Sequence, residues 1–361
     1  MKSQPITKKD RIISLDMIRG LALFGILFIN VPAYLVLIES SPEPDLTGIN
    51  GVIKLLIVIL IEKKFFSIFS FLFGVGAYIF MSRAEQKGDR YLLRFFRRML
   101  ILLLFGVIHV FIWFGDILFV YAIFGLLLIP FYNRKQKTIL SFAVILTVLS
   151  WLSMGVNMIY FKQGMDAPQW MQFFSGDQNT IFAMFLFGMY AGKSGIIKNI
   201  ANNAGILKKI QVITFLLFMS FTAIITWLSL IPQTDQVSLF TSAVVGMGAV
   251  PMTFFYLTTL FLLLQKSVVQ KFLSPIGFVG QMAFTNYLCQ DSIGRFILNQ
   301  AGIEVVSPHH TIIVAIVIFV IQLIFSVIWL KVFKFRYGPL EYVWRTLTYG
   351  KLTRKKTNIS A

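Results

Sequence analysis

Residues 99–132 form one nearly unbroken apolar run that contains a single histidine, His109, and a single aspartate, Asp116. As one helix these residues would reach about 51 Å, against a hydrocarbon core about 30 Å thick. The run therefore divides into two spans, 99–114 and 117–132, with Gly115-Asp116 as the turn between them. Each arm covers only about 24 Å, so the turn is expected to sit below the outer membrane surface, in a depression. His109 lies within the first arm and Asp116 at the turn. Ionisable groups at such depth are costly and mark a functional site by default.

Apolar residues make up 57% of the chain and charged residues 13%, where a soluble domain carries about 25% charged. The expected fold is all-α: one integral-membrane domain, 1–361, folded as a polytopic transmembrane helical bundle. Cys289 stands alone, which excludes a disulfide framework or a thiolate metal cluster. The first apolar run, 21–38, is too long for the core of a secretion signal and lacks a small-residue cleavage site, so no cleavable leader is expected.

Ten spans are expected, at 18–38, 65–82, 99–114, 117–132, 138–159, 179–193, 211–231, 237–264, 275–298 and 311–333. Most of the 33 Lys and Arg residues fall in alternate segments: the N-terminus with Arg19, then 83–98, 134–137, 193–209, 266–271 and the tail from Lys331. The intervening loops hold mostly acids, among them Glu39, Glu43, Asp45, Asp166, Asp177, Asp235 and Glu304. The positive-inside rule then places both termini in the cytoplasm. The net charge of +18 is accounted for by topology and by attraction to anionic lipid at that face; it requires no nucleic acid. Segment 51–64 is too short to cross and reads as an interfacial or re-entrant helix. A short interfacial helix is also expected at 168–174. Residues 335–361 read as a cytoplasmic interfacial helix and basic tail, anchored by Tyr337, Tyr342, Trp344 and Tyr349.

Several polar residues fall inside or beside the spans. Asp16 and Arg19, at i, i+3, form an expected ion pair; Arg19 is either topogenic or a phosphate contact at the inner mouth. Asn30 near the outer end of the first span either bridges helices or enters the site. Ser67, Ser70, Gly74, Gly76, Gly188 and Gly192 read as packing residues that allow close helix approach. The span at 275–298 is unusually polar: Thr285, Asn286, Gln290 and Asp291 line a cavity or form a structural network, and Asp291 has Arg295 at i+4. His109 is either a hydrogen-bonded core residue or a base oriented by Asp116. His309 and His310 read as solvated, and no zinc site is expected.

The segments 15–26, 69–74, 108–118, 187–189 and 285–290, with the tail 337–345, together resemble the YeiB-like bacterial membrane proteins. In the family pattern Gln is followed by Ser; here Asp291 stands between Gln290 and Ser292. The resemblance implies a multi-pass protein of the bacterial cytoplasmic membrane. It also implies kinship with transmembrane acyltransferases, such as the lysosomal heparan acetyltransferase and the acyltransferase-3 proteins, through the Asp16-x-x-Arg19-Gly20 opening. Those proteins move an acyl group, often from acetyl-CoA, to an acceptor across the membrane. The implied roles are His109 with Asp116 as base and orienter, and Asn30, Asn286, Gln290 and Asp291 at the substrate. Arg19, Arg94, Arg97 and Arg98 would hold the phosphates of an acyl-CoA donor. The acceptor would be a small molecule or an envelope component. Two rivals remain: a proton-coupled transporter or exporter of a metabolite or lipid, and a membrane protein without catalytic activity.

Overall fold

A computed structural model describes residues 8–35 and 44–350. The expectations placed on residues 1–7, Glu39, Glu43 and the tail from Lys351 lie outside the described residues. Within them every regular element is helical. The helices are α1 (Lys8–Asn30), α2 (Ile49–Leu60), α3 (Lys64–Glu85), α4 (Tyr91–Ile112), α5 (Leu118–Leu127), α6 (Gln136–Lys162) and α7 (Gln169–Ser175). They continue with α8 (Asp177–Ser194), α9 (Ala204–Leu230), α10 (Asp235–Leu263), α11 (Ser267–Gln281), α12 (Ala283–Gln300), α13 (Pro308–Val327) and α14 (Pro339–Tyr349). Six stretches are long and apolar enough to cross a bilayer: Ile13–Tyr34, Tyr91–Ile112, Gln136–Lys162, Ala204–Leu230, Asp235–Leu263 and Pro308–Val332. Phe111 and Phe114 are 86% and 90% exposed, so the outer surface carries bulky apolar side chains, as a lipid-facing surface does. The chain is a multi-pass helical membrane protein.

The more polar α3 and α8 pack against each other inside the bundle. A Cβ on Gly74 would lie 2.0 Å from the Phe185 carbonyl oxygen, and one on Gly188 would lie 1.9 Å from that of Phe71. The two backbones are in reciprocal contact, which only glycine permits at both places. The same device joins α1 to α11. A Cβ on Gly20 would meet the Ile276 carbonyl oxygen at 2.3 Å, and one on Gly280 would meet that of Asp16 at 1.8 Å.

Two boundaries differ from expectation. The arm expected at 99–114 begins at Tyr91, so α4 has 22 residues and rises about 33 Å, enough to cross alone. Arg94, Arg97 and Arg98 are therefore helical rather than in a loop. Arginine stems tolerate this because they lie along the apolar surface while their heads reach its edge. The short arm is α5, with 10 residues and a 3-10 turn at Ile129–Phe131. The expected span 275–298 is broken at Met282 into α11 and α12. The break is held from outside the segment: Glu341 Oε1 accepts the N–H groups of Phe284 and Thr285 at 2.8 and 3.0 Å. Two of the orphan donors at the start of α12 are thereby satisfied.

Candidate functional site

The site begins where α4 stops. The Trp113 N–H closes the last turn on the His109 carbonyl, and Trp113 then turns to an extended conformation. Its indole N–H donates to the Ala33 carbonyl at 3.3 Å, tying the turn to the end of α1. Gly115 fits beneath the indole, where a Cβ would come within 2.4 Å of the ring. Asp116 follows. Its Oδ2 accepts the Phe119 N–H at 3.1 Å, which caps the start of α5, and its Oδ1 lies 2.9 Å from His109 Nδ1.

The other imidazole nitrogen of His109 faces Asp291 of α12, with Nε2 to Oδ1 at 3.4 Å. Asp291 Oδ2 pairs with Arg295 at 2.5 Å, and the same guanidinium nitrogen donates to the Ile112 carbonyl at 2.8 Å. Four ionisable side chains from α4, the α4–α5 turn and α12 thus form one line, Asp116–His109–Asp291–Arg295. Both carboxylates are inaccessible and the imidazole is almost so. Two carboxylates against one guanidinium leave a charge that a single proton on the imidazole balances. The tight contact at Nδ1 sets the ring's orientation, while Nε2 has the looser partner.

Beside this line lies a cavity of about 970 Å³. Arg19, Arg98, Glu341 and Trp344 line one end, and Asn30, Gly115, Ile117 and Tyr287 line the other, with Phe69, Phe73 and Met99 between. Along α4, Arg98 and His109 are separated by about 16 Å of helix rise. His109, Asp116 and Asp291 are not on the cavity wall. Tyr287 stands between: its ring centroid is 5.9 Å from that of His109, and its oxygen accepts the Ile117 N–H at 3.1 Å. Among the described residues no acceptor takes the Tyr287 proton.

At the basic end, Arg19 pairs with Asp16 at 2.5 Å. Arg98 is stacked on Trp344, with its guanidinium carbon 3.7 Å from the ring centroid. The Trp344 indole donates to the Arg98 carbonyl at 3.1 Å. Glu341 Oε2 accepts the Thr285 hydroxyl at 2.5 Å. Burial pushes the Glu341 carboxyl above the usual carboxylate range, although its hydrogen bonds from Thr285 and Phe284 pull the other way.

The structure therefore brings Arg19, Arg98 and Asn30 to the cavity, and Asp291 to His109. Arg94 instead pairs with Asp89 at 2.5 Å and lies over the Tyr349 ring; Arg97 lies near Gly350. Asn286 donates to the Val279 carbonyl and to Ser326, at 3.1 and 3.0 Å, between α11, α12 and α13. Gln290 is buried, and its amide has no hydrogen-bond partner among the described residues. Sequence reasoning missed Tyr287 and Glu341 as site residues and read Trp344 only as a membrane anchor. Pro339 at the start of a helix, with an acid two residues on, was the local signal for a docked helix.

A family model described as "Protein of unknown function (DUF418)" matches residues 191–351. An uncharacterized 39.9 kDa protein in the amylase 3' region of Bacillus acidopullulyticus is 32% identical over 369 residues, covering 96% of each chain. The uncharacterized protein YxaH of Bacillus subtilis is 32% identical over 410 residues, again covering 96% of each. The uncharacterized protein YeiB of Escherichia coli is 24% identical over 386 residues, covering 94% of this chain and 96% of its own. No solved structure matches. With relatives aligned over nearly its whole length, the chain belongs to the YeiB-like family, DUF418.

Proposed function

We propose that this protein is a membrane acyltransferase that carries an acyl group from a phosphate-bearing thioester donor, such as an acyl-CoA, to an acceptor at the opposite membrane face. The observation that carries the reading is the single cavity that joins the Arg19–Arg98 end to the wall in front of His109. In this reading the protein crosses the bacterial cytoplasmic membrane ten times, with the arginine end and both termini cytoplasmic, as the basic loops favour. Arg98 is held flat by Trp344, and its planar fork suits phosphate oxygens. The apolar middle accommodates the donor's arm and the acyl chain.

At the far end the proton on His109 Nε2 first passes to Asp291 Oδ1; the acceptor hydroxyl or amine then attacks the thioester carbonyl and gives up its proton to the freed Nε2. Asp116 holds the opposite nitrogen. The C–S bond breaks, the sulfur leaves as thiolate, and the proton taken by His109 is returned to it. Asn30, on the cavity wall, is the hydrogen-bond donor that meets the developing oxyanion. The acceptor reaches Nε2 only when the Tyr287 ring swings aside. One observation favours proton-coupled transport as a second reading: the buried four-charge line runs beside a broken helix, an arrangement that transporters also use.

The test is a mass comparison of lipids and envelope glycans from wild-type cells, a deletion strain, and the deletion strain expressing His109→Ala. The proposal expects an acyl-sized mass difference that wild type restores and His109→Ala does not. Accumulation of an intact metabolite, with no acyl difference, would replace the enzyme with the transporter.

A further inference from the structure

A second cavity, of about 960 Å³, lies on the face of α3 turned away from the central one. The central cavity uses Phe73, Gly76 and Phe80 of α3; the second uses Val75, Ile79, Ser82 and Arg83. It is at the same end of the bundle as Arg98, since Phe80 lies under the Arg98 guanidinium one helical turn before Arg83. The chain leaving α8 builds the opposite wall. Gly195, at φ +77°, reverses the chain, and the segment that follows carries Lys198, Asn199 and Asn203 to the cavity before α9 begins.

Among the described residues three cations, Arg83, Lys193 and Lys198, line this cavity, and no carboxylate does. Their circumstances differ. Lys193 donates to the carbonyls of Tyr132 and Arg134, at 2.5 and 2.6 Å, so it serves the bundle end. Among the described residues neither Arg83 nor Lys198 pairs with a carboxylate. Both are exposed. Topology needs positive charge at this face, but it needs neither a concavity nor uncharged donors gathered around it. Here Ser82, Gln86, Ser194 and Asn199 line the cavity with the cations, with the Gln86 amide donating to the Ser82 hydroxyl and the Ser194 hydroxyl to the Ala191 carbonyl, and Val75 and Ile79 form an apolar wall. Charge, neutral donors and an apolar flank at the end of a helix bundle match a phosphate group carried on an amphiphile. Basic pockets between membrane helices bind anionic headgroups in this way.

We propose that the cavity between the ends of α3 and α8 is a phosphate-binding site, separate from the central cavity, with Arg83 and Lys198 as its charged contacts. The phosphate comes either from an anionic phospholipid headgroup or from a soluble phosphate compound. The test uses the purified full chain. One arm measures lipid retained by native mass spectrometry after incubation in nanodiscs of phosphatidylcholine alone or mixed with phosphatidylglycerol. The other arm measures thermal stabilisation in detergent by inorganic pyrophosphate. The variant is Arg83→Gln with Lys198→Gln; the control is Lys208→Gln with Lys209→Gln, which removes two charges from nearby α9 outside the cavity.

A lipid site predicts selective retention of phosphatidylglycerol by wild type and control, falling about 5-fold for each cavity charge removed. A soluble-phosphate site predicts pyrophosphate stabilisation with the same pattern across variants and no lipid selectivity. Equal behaviour of the cavity variant and wild type in both arms, or an equal loss in the control, overturns the proposal. Should the cavity variant fail to fold, wild type alone decides: no preference for phosphatidylglycerol and no response to pyrophosphate also overturns it.

Discussion

Glu341 is the side chain whose removal most directly tests how the helix break at Met282 is held. In Glu341→Ala the N–H groups of Phe284 and Thr285 lose their acceptor. An orphaned buried donor costs about 1–3 kcal/mol, so the two together cost about 2–6 kcal/mol. Glu341→Gln keeps one oxygen for both donors. The Thr285 hydroxyl, which now donates to Oε2, can rotate to accept from the new amide. The lost attraction between a carboxylate and the helix start, about 0.3–1 kcal/mol, is offset by relief of the burial that raises the Glu341 pKa. Gln is therefore expected within about 1 kcal/mol of wild type, a figure set by those two opposing effects. Thermal unfolding of the purified protein in detergent, followed by tryptophan fluorescence, separates the two variants. Conversion runs at roughly 2–4 °C per kcal/mol for mid-sized domains. The sign with pH follows from the raised pKa. Above 4.5, the ordinary value, the folded protein binds the proton more tightly than the unfolded chain does. Stability from this group is then fully present below that value and declines as pH rises through the folded pKa. Glu341→Gln removes that slope. Equal melting temperatures for the Ala and Gln variants would refute the capping argument.

His109→Ala is expected to lower acyl transfer by about 10²–10⁴-fold while the protein still inserts; full complementation at native expression would remove the base. Gly188→Ala drives a methyl into the Phe71 carbonyl, 1.9 Å away, and should cost about 1–3 kcal/mol or more. Gly76→Ala meets nothing within 4 Å and should be neutral or stabilising in the same melting assay, so equal effects would contradict the packing reading. Cysteines placed at 87 and 135 should label only from the cytoplasm, and labelling from outside would sink the ten-span orientation. Arg98→Lys should weaken acetyl-CoA binding in a calorimetric titration, because lysine lacks the planar fork that stacks on Trp344. Arg94→Lys, whose guanidinium is already paired with Asp89, should not; equal affinities would return both to topology.

The helical membrane class was legible because an apolar run has a length, and length decides what crosses. The His109–Asp116 contact could be suspected for a related reason: the apolar run needed a turn at Gly115-Asp116, and that turn, not a continuing helix, brings Asp116 back to His109 after α4 stops at Ile112. Asp291 could be suspected as an acid within a span but not joined to His109, since nothing local relates positions that far apart. The start of α4 was misread because charge was taken as loop, although an arginine stem is as apolar as its neighbours. The break at Met282 was invisible for the opposite reason. The apolar pattern of 275–298 runs through it, and the group that stabilises the break sits on α14. Arg94 and Arg97 show the limit of clustering in sequence: Arg97 points about 100° away from Arg98, Arg94 shares its face but lies a turn nearer the helix start and pairs with Asp89, and only Arg98 of that group lines the cavity.

The glycine contact between α1 and α11 has a consequence for how the chain is made. α1 leaves the ribosome well before α11, so Gly20 waits through the synthesis of the helices between them without the backbone it is shaped to meet. α11 has 15 residues, too few to hold a membrane position alone, and depends on α1 already being in place. This part of the bundle thus closes late, like a clasp whose two halves lie far apart on the strap. Folding cannot proceed as an N-terminal unit followed by an independent C-terminal one. A ribosome stalled before residue 267 would leave the Gly20 face of α1 without the backbone that covers it.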